Sequence, residues 1–436
     1  MLLYSPYNTP RLQYIVDFVN KELFGDTLSI TTDREGFAKD AHPKLNYSDE
    51  EISEEEFFIR KTPLLFETGI RSRAIECFDL NYHKAFFETS GDFPFDIFAA
   101  SFYLLSRYEE YLPHEKDEYG RYAHTNSIAF REGFLHIPLV NVWLQEFRKA
   151  LQEKFPSIAF HRPSFKFIPT YDIDIAYAYL NKGWRRNAGG LARSLLKGDW
   201  AAARERCRVL IKRQKDPYDA YEWLDSVHLY CRMRAYYFFL AAREPHLYDR
   251  NISRNNSSFR DLIRYHANGY TIGIHPSWQS GDDAGLLEDE IDWLGDLVGK
   301  KVVYSRQHFI RFTLPETYRQ LSRMGIEKEF SMGYGTINGF RASVASSFHW
   351  YDLEREEKTG LMLFPFCFMD ANAFYEQKLA AREAFHELMN YYHAIKKVNG
   401  MMVTIWHNQF LAGDPQFTGW KEVYEVFLKE EVYWDM

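Results

Sequence analysis

Apolar residues recur at helical spacing over residues 11–24 (RLQYIVDFVNKELF), where Leu12, Ile15, Val16, Val19 and Leu23 share one face. Between Pro94 and Pro113 the run FPFDIFAASFYLLSRYEEYLP is apolar around most of its circumference, which predicts a buried helix. FLHIP at 134–138 reads as a strand turning into a helix over 140–154. The stretch AHPKLNYSDEEISEEEF (41–57), with Pro43 and its acidic residues, reads as a surface loop. Residues 1–155 are therefore expected to form a smaller helical α/β domain, and they contain no recognisable catalytic cluster.

After HRPSF (161–165) the pattern changes to short apolar runs separated by amphipathic stretches. Seven runs occur: 165–174, 234–240, 271–276, 302–309, 327–333, 361–370 and 401–408. Strands of this kind alternating with helices predict a parallel sheet with crossover connections, closing most economically into a (β/α)7-type barrel over residues 160–436. Five of the seven runs end in groups able to do chemistry: Asp172 and Asp174, His275, Arg306 with His308, Asp370, and His407. In α/β barrels the C-terminal strand ends form the active-site face, so these residues are expected to converge. Asp172 and Asp174 are alternate residues and point the same way along a strand. Two carboxylates in one pocket suit a base beside a metal ligand, although an acidic strand end satisfied by arginines or backbone amides would look the same.

Composition narrows the class. Hydrophobic residues at 46% and charged residues at 26% describe a globular chain rather than a disordered one. The four cysteines are widely spaced with no CxxC pair, which argues against a disulfide scaffold or a zinc ribbon. A net charge of -8 argues against nucleic acid as a partner. The beginning of the sequence lacks the features of a signal peptide, and no run is long enough for a spanning helix, so the cytoplasm is the expected location. The 36 Phe, 30 Tyr and 10 Trp exceed what a core needs and suit a cleft that stacks on sugars.

TYDID (170–174), IHPSW (274–278), SRQHF (305–309) and TIWHN (404–408) stand in the order and spacing of the polysaccharide deacetylase (NodB-homology) family, which the chain resembles from about residue 160 to 436. FPFDIFAASFYLLSRYEEYL and GFRAS (339–343) resemble a two-domain branch in which an uncharacterised N-terminal domain precedes an irregular barrel. The resemblance implies a metal-dependent hydrolase that removes N-acetyl groups from a carbohydrate. It makes Asp172 the base, Asp174 and His275 metal ligands, Arg306 the group that orients the base, and His407 the acid. The metal expected is zinc, with cobalt, nickel or iron also open.

Two departures from that pattern matter. Gln279 stands where the family has its second metal histidine, so His308 is the candidate third ligand; it would otherwise hydrogen-bond substrate or Asp172. The fourth motif is poorly kept, with Glu329, Arg341 and Asp370 as candidates. Trp406, beside the acid, is expected to line the sugar pocket. These departures keep open a catalytically silent barrel that binds carbohydrate, and a hydrolase of small non-sugar amides is a further alternative.

A basic helical insert occupies residues 182–215, with seven Arg and four Lys against Asp199 and Glu205. Trp184, Leu191, Leu195, Leu196 and Trp200 would line one apolar side, and Val209, Leu210 and Ile211 another. Such a segment suits either a solvated helix pair or a peripheral contact with anionic lipid at the inner membrane face. Nothing in the sequence fixes the oligomeric state.

Overall fold

A computed structural model describes residues 1–244 and 246–435. Near the N-terminus, β1 (Leu2–Tyr4), α1 (Pro10–Val19), β2 (Ser29–Thr31), α2 (Arg34–Lys39), β3 (Lys44–Ser48) and β4 (Phe57–Arg60) build a parallel sheet of order β2-β1-β3-β4. α1 starts where Thr9 caps it, the hydroxyl accepting from the Leu12 amide, and Pro10 occupies the first turn, where no amide is needed. A hairpin of β5 (Cys77–Leu80) and β6 (His83–Phe86) follows, then α3 (Ile97–Leu105), α4 (Ile128–Arg131) and α5 (Leu139–Lys154).

Two expectations for this part are corrected. The polar stretch 41–57 is not all surface loop, because β3 lies inside it and is buried along its length. The donor groups of its two long polar side chains find local acceptors: Lys44 donates to the carbonyls of Phe37, Ala38 and Asp40, and Asn46 donates to Glu56 and to the Glu50 carbonyl. FLHIP is a turn rather than a strand. Its Ile137 amide donates to the Phe134 carbonyl within the turn, its Phe134 amide donates back to the Ala129 carbonyl of α4, and the Leu135 carbonyl accepts from Phe340.

The remaining elements are β7 (Lys166–Ile173), α6 (Gly183–Leu196), α7 (Trp200–Leu210), α8 (Tyr221–Cys231), β8 (Tyr236–Leu240), α9 (Ser257–Gly269), β9 (Thr271–His275), α10 (Ala284–Val298) and β10 (Tyr304–Ser305). They continue with α11 (Glu316–Arg323), β11 (Lys328–Glu329), β12 (Phe348–Asp352), β13 (Glu357–Leu363), β14 (Phe368–Met369), α12 (Ala381–Lys397), β15 (Met401–His407) and α13 (Trp420–Val426). The sheet has the order β12-β13-β11-β10-β9-β8-β7-β15-β14, and every neighbouring pair is parallel except β12 with β13. Helical crossovers between parallel strands cover the sheet, giving a mixed α/β architecture.

The seven predicted runs all take part, but three are shorter or divided. The runs at 302–309 and 327–333 each keep two strand residues, and the first then breaks into a turn at His308–Ile310. The run at 361–370 is split between the end of β13 and β14, and β12 adds an antiparallel strand the pattern did not announce. Between the two halves of that split run, Phe364 and Phe366 donate to the Glu329 and Met332 carbonyls, while Cys367 donates to Val403. This one segment thus bonds both to the β11 side and to β15.

The two parts of the chain share a continuous buried core. Buried polar ties cross between them: Val140 donates to the Ser343 carbonyl, Tyr14 to the His349 carbonyl, and Arg341 binds the Glu110 carboxylate with two nitrogens. Among the described residues, no helix is long and apolar enough to cross a membrane.

Candidate active site

Strand alternation sorts β7 into two faces. Tyr171 points outward, its hydroxyl 2.8 Å from His228 and 2.7 Å from the Tyr424 hydroxyl. Asp172 points inward, and Asp174 follows just past the strand end. On β15 the same rule sends His407 inward, in register with Asp172, and turns Trp406 outward onto Tyr424 at 4.2 Å between ring centres. Trp406 is therefore a packing residue, and the expectation that it lines the pocket is corrected.

Six predicted residues, Asp172, Asp174, His275, Arg306, His308 and His407, meet at one end of the sheet. His275 Nε2 lies 3.1 Å from Asp174 and 3.8 Å from Asp172. His308 Nε2 and His407 Nε2 each lie 3.5 Å from the second oxygen of Asp174. Asp172 in turn accepts from Arg306 at 2.8 Å, and the same Arg306 nitrogen donates to the Thr170 hydroxyl. Arg306 is buried, with its guanidinium over the Phe238 ring, so its direction is fixed by packing as well as by charge.

Each histidine is oriented through its other nitrogen. Nδ1 of His275 faces the Arg306 carbonyl at 2.6 Å, Nδ1 of His308 faces Asp249 at 3.1 Å, and Nδ1 of His407 faces Asp370 at 2.6 Å. An oxygen acceptor at Nδ1 places a proton there and turns Nε2 inward. Four carboxylates, those of Asp172, Asp174, Asp249 and Asp370, thus face the three histidines, and a guanidinium, that of Arg306, contacts only Asp172 among them, an excess of negative charge that draws positive charge into the site. The titration behaviour follows. Burial pushes the Asp174 carboxyl up, but His308, His275 and His407 more than offset it and hold it well below the usual range. Burial pulls His308 and His407 down, yet Asp174 and Asp249 raise the first, and Asp370 and Asp174 raise the second.

Asp174, His275 and His308 offer ligand atoms that all lie within 4.8 Å of one another. The Oδ1 of Asp174 is buried without a hydrogen-bond partner among the described residues, while a histidine nitrogen faces it. Such an oxygen calls for a cation. Two imidazoles and a carboxylate form a donor set that zinc, cobalt, nickel or iron accepts. Gln279, in contrast, starts a short turn after His275 and does not line the cavity.

The groups open into a cavity of about 390 Å³, within the range of small-molecule sites. Of the three candidates for the fourth motif, Asp370 holds His407 by its ring and by its backbone amide. Glu329 instead bonds Tyr318 and Ser331, and Arg341 pairs with Glu110 away from the cavity. Sequence reasoning missed Asp249, which also accepts from the Trp278 amide. It sits in a loop with no strand pattern to mark it. It missed Tyr119 and Arg121 as well, which reach the cavity wall from the N-terminal part, where no chemical cluster drew attention.

Comparison with known proteins gives the following. A family of unknown function (DUF7033) matches residues 1–156. No curated protein sequence matches significantly. Among solved structures, the chain is similar to a protein from Mycobacterium smegmatis described as a polysaccharide deacetylase, at 12% identity and a TM-score of 0.39, over 62% of this chain and 86% of that one. It is similar to a polysaccharide deacetylase from Bacillus cereus at 12% identity and a TM-score of 0.29, over 62% and 89% of the two chains. A third likeness is to PuuE allantoinase, at 11% identity and a TM-score of 0.38, over 61% and 83%.

Proposed function

We propose that this protein is a metal-dependent hydrolase that removes N-acetyl groups from a carbohydrate. In this reading residues 160–436 form an irregular (β/α)7-type barrel, and residues 1–155 form a second domain that completes the pocket wall. The observation that carries it is the convergence of Asp174, His275 and His308, flanked by Asp172 held by Arg306 and by His407 held by Asp370. A ligand triad alone would serve storage or structure, whereas an oriented carboxylate and an oriented imidazole beside it supply a base and an acid.

A divalent ion held by the three ligands would supply Lewis acidity and acidify a water. The chain's own residues do the rest. Asp172, aimed by Arg306, accepts a proton from the attacking water as its oxygen bonds to the acyl carbon. His407, protonated in the field of Asp370, donates a proton to the amide nitrogen as the carbon–nitrogen bond breaks. Acetate and a free amine leave. Tyr119, Phe309 and Tyr375 offer faces for a sugar ring, and Asn372, Gln307 and Gln409 offer hydrogen bonds to its hydroxyls.

The test is elemental analysis of purified protein with an acetate-release assay on N-acetylated oligosaccharides. Near-stoichiometric metal should be present and be lost in Asp174→Ala and His275→Ala. Asp172→Asn should keep the metal while losing at least about a hundredfold in rate, the usual contribution of a positioned base. Absence of metal even after soaking would overturn the reading in favour of a silent carbohydrate-binding barrel. Release from simple amides but not from sugars would move the substrate class.

A further inference from the structure

The α6–α7 hairpin is poorly accounted for by the fold. Over residues 183–210 only Asn187, Ala203 and Val209 are buried among the described residues. Two helices of 14 and 11 residues that bury so little would ordinarily be polar on all exposed sides. These are not. Trp184, Leu191 and Leu195 fall on one face of α6 at spacings of seven and four, and Trp200, Cys207 and Ile211 repeat that spacing along α7. Trp184 is 76% exposed, Leu196 at the tip 89%, Trp200 70% and Ile211 60%.

Charge accompanies this apolar surface. Eleven basic residues lie between Lys182 and Lys215 against two acids, on a chain whose net charge is -8. Part of that charge is structural: Arg186 donates to the carbonyls of Arg250 and Asn251, and Arg206 donates to Asn187. Arg193, Arg204 and Arg208 have no side-chain hydrogen bond or ion pair among the described residues, and Arg185 lies over the Trp184 ring. Spare cations beside exposed Trp and Leu match a surface that is anionic at its headgroups and apolar just beneath.

We propose that the hairpin docks the protein peripherally on a bilayer carrying anionic lipid, with Trp184, Leu196, Trp200 and Ile211 entering the interface and the free arginines meeting the headgroups. The hairpin follows β7, the strand that carries Asp172, after a loop of residues 174–182. This proposal does not depend on the hydrolase reading.

The experiment is co-sedimentation of the full chain with vesicles of phosphatidylcholine alone and with about a third phosphatidylglycerol. Binding should require the anionic lipid and weaken in high salt. Replacing Arg185, Arg193, Arg204 and Arg208 with Glu should lower the partition constant more than about a hundredfold, since each cation near such a surface contributes roughly fivefold. The double variant Trp184→Ser with Trp200→Ser should weaken binding while leaving the melting temperature unchanged, because both side chains are exposed. Failure of wild type to bind anionic vesicles, or equal binding by the charge-reversed variant, would overturn the proposal. So would a dimer in solution that the Trp variants break without any effect on vesicles, which would make the hairpin a self-association surface.

Discussion

Nη1 of Arg121 donates to the carbonyl of Phe309 over 2.6 Å, so a residue from the N-terminal part holds the turn that carries His308. That turn needs holding. Phe309 and Ile310 adopt φ of 58° and 54°, and consecutive left-handed residues with side chains, one of them β-branched, cost roughly 1–3 kcal/mol each. The conformation aims His308 back at Asp174 instead of letting the chain run on as a strand.

Removing that hold should therefore loosen the proposed metal site without touching a proposed ligand. Arg121→Ala is expected to raise the zinc dissociation constant about tenfold, the scale of losses at residues that orient ligands. Titration of metal-free protein against a competing chelator measures this. Affinity equal to wild type would show that the turn is kept by its own packing.

Asp249 acts on His308 from the other side. Asp249→Ala takes away the acceptor for Nδ1 and frees the ring to turn, which should cost 10- to 100-fold in metal affinity. Asp249→Asn keeps an acceptor oxygen and should cost less. Calorimetric titration of both variants checks the order. Equal effects would mean that Asp249 serves only the Trp278 amide and not the histidine.

Stability should fall on mild acidification through His228. Burial among tyrosines lowers this histidine from 6.5 to about 4, so it is neutral when folded, whereas the unfolded chain takes up a proton near 6.5. Its contribution is complete above about pH 6.5 and is lost as pH falls from there towards 4, by about 3 kcal/mol in full. Denaturant melts of wild type and His228→Gln across this range should converge as pH falls. A stability gap that does not change with pH would refute the assignment.

Much of the site was legible in the sequence because strand ends are marked twice, by an apolar run and by the polar residue that stops it. Asp172, His275 and His407 were visible this way. His308 is visible as the end of the run 302–309, and the absence of a histidine at Gln279 makes it the candidate ligand, but the left-handed turn that redirects it leaves no pattern in a sequence without glycine there. Asp249 and Arg121 lie in loops, where neither period nor motif selects one charge from its neighbours. In the fold, the weakest expectations were those made from polarity alone: β3 reads as a loop until Lys44 and Asn46 are seen to find partners inside the protein.

One buried charge cluster also bears on how the chain is inherited. Glu110 is clasped by Arg107 and by both arms of Arg341; burial would push its carboxyl up, yet the two guanidiniums bring it down to about 2. Glu110 lies in the YEEYL end of the N-terminal helix region and Arg341 in GFRAS, more than two hundred residues later. Losing either partner strands a charge in the interior, a loss of several kcal/mol. A recombination event that exchanged the first 156 residues would have to bring a matching acid with it, so the two halves of this chain are bound to change together.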